Sequence, residues 1–200
     1  MTKLKRESSQ KEPAVILITG GSGSGKSEFT RWFKHAVVIE LDSFYKPKDQ
    51  VPKDKEWGYN FDHPNAVDIE ECAETIKKLL KKKKAMVPRY DMILSERVGK
   101  REVKLTKKVQ FIIVEGIFTF YSPLRELADI KIFLDTPTEI RVARRMIRDV
   151  KRKGRTKLEI MSNFVHAERN YYKHIEPMKK FADVIIPFSF NPIQLKRRYK

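Results

Sequence analysis

Cysteine is nearly absent from the sequence, and no long hydrophobic run is present. The single cysteine among 200 residues cannot form an internal disulfide, so we expect a reducing compartment and a cytoplasmic protein. No apolar run approaches the ~20 residues of a membrane-spanning helix, and the polar N-terminus lacks the apolar core of a secretory signal. With 8 glycines and 10 prolines, the chain also falls outside the collagen-like and low-complexity classes.

Positive charge is in large excess. The 43 lysine and arginine residues outnumber the 26 acidic residues, which gives a formal net charge of +17. Such an excess attracts polyanions, namely nucleic acid, acidic membrane surfaces or phosphorylated small molecules, and does not choose among them. We expect residues 1–12 and 192–200 to be flexible basic tails that flank a single domain at 13–191.

Short apolar runs rich in β-branched residues recur along the chain. Such runs are typical of strands buried on both faces of a parallel sheet. Segments with helical periodicity lie between them, and this alternation predicts an α/β fold with a five-stranded parallel sheet flanked by helices. The predicted strands are Ala14–Thr19, Val37–Leu41, Phe111–Glu115, Ile130–Leu134 and Val184–Ile186.

Two of the intervening helices carry clear signals. An apolar stripe at i, i+3, i+4 and i+7 predicts a helix over 67–84 and places Cys72 in packing rather than in chemistry. The segment that starts at Thr136 predicts another helix, with the Thr136 side chain as its N-cap.

Two stretches break the alternation of strands and helices. Residues 43–64 are rich in aromatic residues, proline and aspartate, and are predicted to form a loop. Residues 86–105 alternate loosely around Gly99–Lys100, which predicts a hairpin about that pair. Long excursions from a compact core often bind ligands or close over them.

One motif points to a nucleotide. The segment Gly20–Ser27 fits G-x-x-x-x-G-K-[ST], follows a predicted strand and precedes a predicted helix at Glu28–Lys34. Glycines let the backbone N–H groups wrap a phosphate, the lysine reaches the β- and γ-phosphates, and the hydroxyl of Ser27 binds Mg²⁺. A glycine-rich loop without a ligand is the plain alternative, and the strand and helix around the motif favour the P-loop. The predicted nucleotide-binding residues are Gly21, Ser22, Gly23, Ser24, Gly25, Lys26 and Ser27.

Two acidic residues and a basic helix complete the candidate chemistry. Asp42 and Glu115 stand at the carboxyl ends of predicted strands, where ligands of α/β sheets bind. Either one can hold Mg²⁺ or accept a proton from an attacking hydroxyl. The arginines at 141, 145, 148 and 152 line one helix face, which is either a clamp for a phosphoryl group or a solvated basic surface.

These residues together resemble the uridine kinase family, the uridine–cytidine kinase branch of the P-loop kinases that is related to phosphoribulokinase. The resemblance covers about 13–191, and the Tyr59–Pro64 string Tyr-Asn-Phe-Asp-His-Pro is more specific than the P-loop. The other matching segments are Leu41–Lys46, Pro88–Asp91, Val114–Ile117, Asp135–Thr136 and Arg144–Asp149.

The resemblance implies an ATP- and Mg²⁺-dependent phosphotransferase that acts on the 5′-hydroxyl of uridine or cytidine. It implies that Asp42 is the general base, that Lys26 and Arg148 are catalytic, and that Glu115 joins Ser27 at the metal. It also implies a helical lid at about 141–165 and a substrate hairpin at 86–105. The implied lid arginines are Arg145, Arg148 and Arg155, and the implied acceptor contacts are Tyr45, Asp62, His63, Tyr90 and Arg148.

The chain departs from the family pattern at the base-reading positions, where Met92 and Ser95 replace Phe and His. A kinase of the same family with a different small hydroxyl acceptor is therefore an alternative. A GTPase would need an Asn-Lys-x-Asp motif, and the nearest match in this sequence, Asn65–Asp68, has no lysine. The interpretation as a polynucleotide kinase is supported only by the net positive charge. We therefore expect a small-molecule partner, no membrane partner, and only weak electrostatic binding of nucleic acid. Homo-oligomerisation stays open.

Overall fold

The computed structural model describes residues 12–153 and 156–188, arranged around one central sheet. In this part of the chain no helix has the length and apolarity to cross a membrane. The helices are α1 (Lys26–Thr30), α2 (Ile69–Lys82), α3 (Thr138–Lys153) and α4 (Lys157–Asn170). The strands are β1 (Ala14–Thr19), β2 (Ala36–Glu40), β3 (Lys53–Asp54), β4 (Gly58–Tyr59), β5 (Lys84–Asp91), β6 (Glu96–Lys104), β7 (Phe111–Glu115), β8 (Ile130–Asp135) and β9 (Val184–Pro187).

The central sheet has five parallel strands in the order β2-β7-β1-β8-β9. Each of the five apolar runs forms one of these strands, so the predicted α/β fold is confirmed. Alternate residues of β1 pack on opposite faces: Val15 and Leu17 join the larger core beside α2, while Ile16 and Ile18 pack with Phe29 of α1. Burial on both faces explains why these strands read as continuous apolar runs.

The carboxyl ends of β1, β2 and β7 meet at one edge. In the register, Ile18 pairs with Glu115, and Glu115 pairs in turn with Glu40. The loops that follow these strands therefore share the same end of the sheet, the position at which ligands bind in such folds.

The helices show two differences from the sequence prediction. The helix after the phosphate loop ends at Thr30 instead of continuing to Lys34, because only tight turns follow and His35, with φ of 56°, leads directly into β2. The helix predicted from Thr136 begins at Thr138, and the Thr136 hydroxyl donates to the Ser24 carbonyl oxygen at 3.1 Å instead of capping it.

The two excursions are also resolved. Residues 43–64 hold short 3-10 turns and the small β3–β4 ribbon rather than plain loop. The β5–β6 hairpin is present, but its turn lies at 92–95 and not at Gly99, which pairs with Arg89 inside the ladder. The Asp91 carboxylate makes this turn by accepting from the N–H groups of Ile93 and Leu94 at 2.7 and 3.0 Å.

Candidate active site

The loop after β1 folds tightly between the sheet and α3. Gly25 precedes α1 with φ of 101°, in the left-handed region that favours glycine. Gly23 has φ of +86°, and a Cβ there would lie 2.6 Å from the Arg141 carbonyl oxygen. Only glycine fits such an approach, as a phosphate-binding loop requires. The predicted residues from Gly21 to Gly25 lie in this loop, with Ser24 fully buried, and Lys26 and Ser27 begin α1.

The Lys26 ammonium group is buried against the loop. It donates to the carbonyl oxygens of Gly20 and Gly21 at 3.0 and 3.2 Å. Burial lowers the pKa of Lys26, while the negative charges of Glu115 and Asp42 act to raise it. A cation held between the loop and two carboxylates is well placed to bind nucleotide phosphates.

Ser27 and Glu115 lie together at the start of α1 and the end of β7. The Ser27 hydroxyl donates to Glu115 Oε1 at 2.6 Å. Glu115 is buried, whereas Ser27 is exposed to the cleft. A hydroxyl and a carboxylate of this kind fit Mg²⁺, which takes one or two protein oxygens and completes its shell with phosphates and water. Among the described residues no group of three or more histidine, cysteine or acidic side chains suits a metal.

Asp42 opens the 3-10 turn Leu41–Phe44 that follows β2. Its carboxyl is accessible from the cleft, but the surrounding protein reduces its hydration. This loss of hydration, together with the charge of Glu115, raises the pKa of Asp42 to about 6, and the Lys26 ammonium partly offsets the rise. A carboxylate with such a pKa can accept a proton near neutral pH.

The basic face of α3 is divided between structural and site-facing arginines. Arg141 is buried: it donates to the Thr136 carbonyl oxygen, pairs with Glu168, and lies 4.2 Å from the Tyr171 ring centroid. Arg144 donates to the carbonyl oxygens of Gly23 and Ser24 at 3.3 and 3.0 Å. These two residues therefore fasten α3 to the phosphate loop, and Arg141 at least is not part of a solvated basic surface.

Arg145 and Arg148 face different partners. Arg145 lines the cavity described next, where its charge acts on Asp62, whereas the family resemblance implies a lid arginine that closes over the phosphates. Arg148 pairs with Asp149, and its charge acts on both Lys26 and Asp42. Arg155, predicted to close over the phosphates, lies outside the described residues, as do the side chains of residues 151–153.

A cavity of about 250 Å³ lies between the β5–β6 hairpin, the β3–β4 ribbon and α4. We call it the acceptor cavity, because the resemblance implies that Tyr45, Asp62 and Tyr90, which line it, contact the acceptor. Met92 and Ser95, the two departures from the family pattern, line it. Tyr45 packs against Phe61 and Tyr90 with ring centroids 5.9 and 5.6 Å apart. The aromatic residues of the wall are Tyr45, Trp57, Tyr59, Phe61 and Tyr90.

Asp62 is the acidic residue of this wall. Burial raises the pKa of its carboxyl, and the positive charge of Arg145 opposes that rise. Burial also raises the pKa of Tyr45 well above 10, so its hydroxyl stays protonated and can donate. The predicted acceptor residues Tyr45, Asp62 and Tyr90 thus come together.

His63 does not join them. Its Nδ1 accepts from the Asn65 N–H at 3.1 Å and caps a 3-10 turn, while its ring packs edge-on against His174. The side chain lines a neighbouring cavity of about 380 Å³ instead. The structure therefore places His63 outside the acceptor cavity, and its role as an acceptor contact stays a prediction.

Sequence reasoning missed the side chains that α4 and the ribbon bring to the cavity, Asn163, His166 and Trp57. It also missed Arg97, which holds the hairpin against the core. Arg97 pairs with Glu71 at 2.6 Å and donates to the carbonyl oxygens of Phe44 and Tyr45 at 3.2 and 3.0 Å. No motif marks these residues; only the packing of distant segments brings them together.

Comparison with known proteins agrees with this geometry. The model of the Phosphoribulokinase / Uridine kinase family matches residues 15–191. The uridine kinase of Clostridium tetani (strain Massachusetts / E88) is 39% identical over 185 residues, which cover 88% of each chain. The uridine kinase of Bacillus thuringiensis (strain Al Hakam) is 41% identical over 184 residues, covering 88% of this chain and 86% of the relative. The structure of phosphoribulokinase from Rhodobacter spheroides shares the fold, with a TM-score of 0.60 at 16% identity, over 88% of this chain and 70% of that one.

Proposed function

The chain belongs to the phosphoribulokinase and uridine kinase family and is an ATP-dependent kinase, and we propose that it phosphorylates the 5′-hydroxyl of uridine or cytidine. The relatives named uridine kinase, at about 40% identity along most of the chain, support this acceptor. The observation that carries the proposal is the acceptor cavity, which places aromatic rings and the carboxylate of Asp62 beside the part of the site that holds Asp42. Tyr45 connects the two, because both carboxylates act on its hydroxyl.

The proposed reaction is direct transfer of the γ-phosphoryl group. The 5′-oxygen forms a bond to the γ-phosphorus while the bond from that phosphorus to the β–γ bridging oxygen breaks, and ADP leaves. Asp42 accepts the proton of the 5′-hydroxyl as the new bond forms. Lys26 and Arg148 stabilise the charge that spreads over the transferring group. Mg²⁺ held by Ser27 and Glu115 would neutralise charge on the nucleotide phosphates.

The size and lining of the acceptor cavity suit a nucleoside. A volume of about 250 Å³ suits a single small molecule, and the aromatic wall provides apolar surface for the flat base. We propose that Asp62 accepts hydrogen bonds from the ribose hydroxyls and that Arg145 keeps it ionised. Both residues line the cavity, and the positive charge of Arg145 opposes the rise in the pKa of Asp62 that burial causes, which supports these roles.

Product identification tests the proposal. We expect uridine and Mg-ATP to give ADP and uridine 5′-monophosphate, with the site of phosphorylation assigned by ³¹P–¹H correlation. The matched control is 5′-deoxyuridine, which fits the same cavity but has no 5′-oxygen to attack, and we expect no ADP above background. Phosphate on a 2′- or 3′-oxygen, or equal ADP release with 5′-deoxyuridine, would contradict the proposal.

A further inference from the structure

His166 brings an imidazole to the acceptor cavity from an unexpected element. It lies on α4, lines both the acceptor cavity and the neighbouring cavity of about 380 Å³, and is half-buried. Its ring packs over Trp57 with centroids 5.3 Å apart and planes inclined by 31°. Position 95, where the family pattern has a histidine, holds Ser95 in the same cavity. The cavity therefore contains an imidazole, but one carried by a helix instead of the hairpin.

The shorter of the two contacts at His166 Nε2 favours one tautomer of the ring. The backbone N–H of Asp62 donates to Asn60 Oδ1 at 3.1 Å, and because a backbone N–H can only donate, this atom of Asn60 is the oxygen. His166 Nε2 lies 3.1 Å from the same oxygen. An amide oxygen can only accept, so Nε2 carries the proton.

Asn170 supports this assignment. Its Nδ2 donates to the His166 carbonyl oxygen at 3.0 Å, and its Oδ1 accepts from Asn60 Nδ2 at 3.1 Å. Both asparagine orientations are thus set by groups other than the imidazole. The longer contact of 3.3 Å between Asn170 Nδ2 and His166 Nε2 joins two donors and needs no hydrogen bond.

A neutral imidazole that is protonated on Nε2 has an unprotonated Nδ1. Within residues 12–153 and 156–188, the structure gives Nδ1 no hydrogen-bond partner. The stacked Trp57 ring has a buried Nε1–H that also lacks a partner among these residues. The Trp57 Nε1–H is a buried donor without a partner among these residues, which is costly, whereas the unpaired Nδ1 of His166 is not buried and stays accessible to a ligand.

We propose that His166 is a specificity-determining residue of the acceptor site, in which Nδ1 accepts a hydrogen bond from a donor group of the bound pyrimidine nucleoside. Trp57 and Asn60 orient the ring for this contact. The inference rests on the proposed function, since it takes the cavity as the nucleoside site. The donor is either the N3–H of uridine, a group that cytidine lacks, or a ribose hydroxyl that does not donate to Asp62, and substrate analogues distinguish the two.

Two substitutions separate the nitrogens of the ring. In H166Q the amide reaches the Nε2 position and can still donate to Asn60, but the acceptor at Nδ1 is lost. In H166N the amide oxygen lies near the Nδ1 position. We expect H166Q to raise the KM for uridine about tenfold with kcat changed less than about twofold, as loss of one substrate hydrogen bond predicts, and H166N to recover most of the loss. The KM for ATP and the Tm should stay near those of the wild type.

The control and the analogues make the test specific. His35 is exposed and precedes β2, at the sheet edge away from the site, so H35Q should leave every constant unchanged. Each of the analogues 3-methyluridine, 2′-deoxyuridine and 3′-deoxyuridine lacks one donor group of uridine. The analogue that lacks the donor bound by Nδ1 should bind to wild type and H166Q equally well. An unchanged uridine KM in H166Q, or an equal penalty on all three analogues, would overturn the role of His166 alone.

Direct binding separates this inference from the proposed function. Calorimetric titration of uridine into wild type and H166Q, both without ATP, should show the same loss of affinity as the kinetics. Wild-type protein that neither binds nor phosphorylates a pyrimidine nucleoside would overturn the proposed function, and the inference with it. Equal binding by wild type and H166Q would overturn only the inference.

Discussion

Replacement of Asp42 by asparagine should remove activity and raise stability at the same time. As a general base, Asp42 contributes about 10²–10⁴ to the rate, and the isosteric amide cannot accept the proton. We therefore expect kcat to fall by at least about 10² in D42N, with the KM for ATP nearly unchanged because the phosphate loop is untouched. The matched control is D49N, the same change at an exposed aspartate on the surface turn Lys48–Gln50.

The gain in stability follows from the sign of the pKa shift. The pKa of Asp42 rises from 3.8 to about 6 in the folded protein, so folding disfavours the ionised carboxylate. The resulting loss of folding stability is complete above pH 6 and is absent below pH 3.8, where the carboxyl is protonated in both the folded and the unfolded chain. At about 1.4 kcal/mol for each pKa unit the shift corresponds to at most about 3 kcal/mol. Because the carboxyl is accessible to water, we expect about 1 kcal/mol in practice, or a Tm higher by about 2–4 °C.

Differential scanning fluorimetry of wild type and D42N across the pH range measures this gain. The difference in Tm should be present at pH 7.5 and should shrink as the pH falls from 6 towards 4, as Asp42 of the wild type takes up its proton. A lower Tm in D42N at pH 7.5, or a difference that does not depend on pH, would refute the reasoning about hydration. Unchanged turnover in D42N would refute the assignment of Asp42 as the base.

Further predictions concern the pH profile, the phosphate loop and the hairpin. The kcat/KM for the nucleoside should rise with pH and level off above an apparent pKa near 6, where Asp42 becomes ionised; a flat profile from pH 5 to 8 would contradict this. G23A should abolish ATP binding and lower the Tm, because its Cβ would meet the Arg141 carbonyl oxygen, whereas G58A, also at positive φ but with nothing within 4 Å, should bind ATP normally in equilibrium titrations. R97A should lower stability by about 1–3 kcal/mol in urea unfolding, because it leaves the Tyr45 carbonyl oxygen and the Glu71 carboxylate without the Arg97 donors, and should raise the nucleoside KM more than the ATP KM. Equal effects of R97A on both KM values would argue against a hairpin-specific role.

The elements that follow from local chemistry are predictable from the sequence. Burial of a parallel strand on both faces produces the continuous apolar runs, and the P-loop motif needs the strand and turn on either side. Asp42 and Glu115 could be placed together because parallel strands end at a common edge. The structure bears out that geometry, since both charges act on Lys26.

The remaining features depend on tertiary packing. The spacing of Arg141, Arg145 and Arg148 puts them on one helix face, but only the crossing of α3 over the phosphate loop determines that Arg141 is buried. His166 and Trp57 are more than 100 residues apart in sequence, and their stacking depends on how α4 packs. The hairpin turn is predictable in principle, because the Asp91 side chain caps it. Gly99 instead suggests a turn at its own position, although it pairs with Arg89 within the ladder.

The measurement that tests the central claim most directly is kcat/KM with Mg-ATP across a panel of acceptors. The panel contains uridine, cytidine, adenosine, guanosine, ribose, a simple hexose and a short RNA with a free 5′-hydroxyl, followed by ADP release. We predict values for uridine and cytidine that exceed those for every other acceptor by at least about 10²-fold, as expected for a site that orients its substrate by hydrogen bonds. A sugar or the RNA as the best acceptor, with no turnover of pyrimidine nucleosides, would contradict the account.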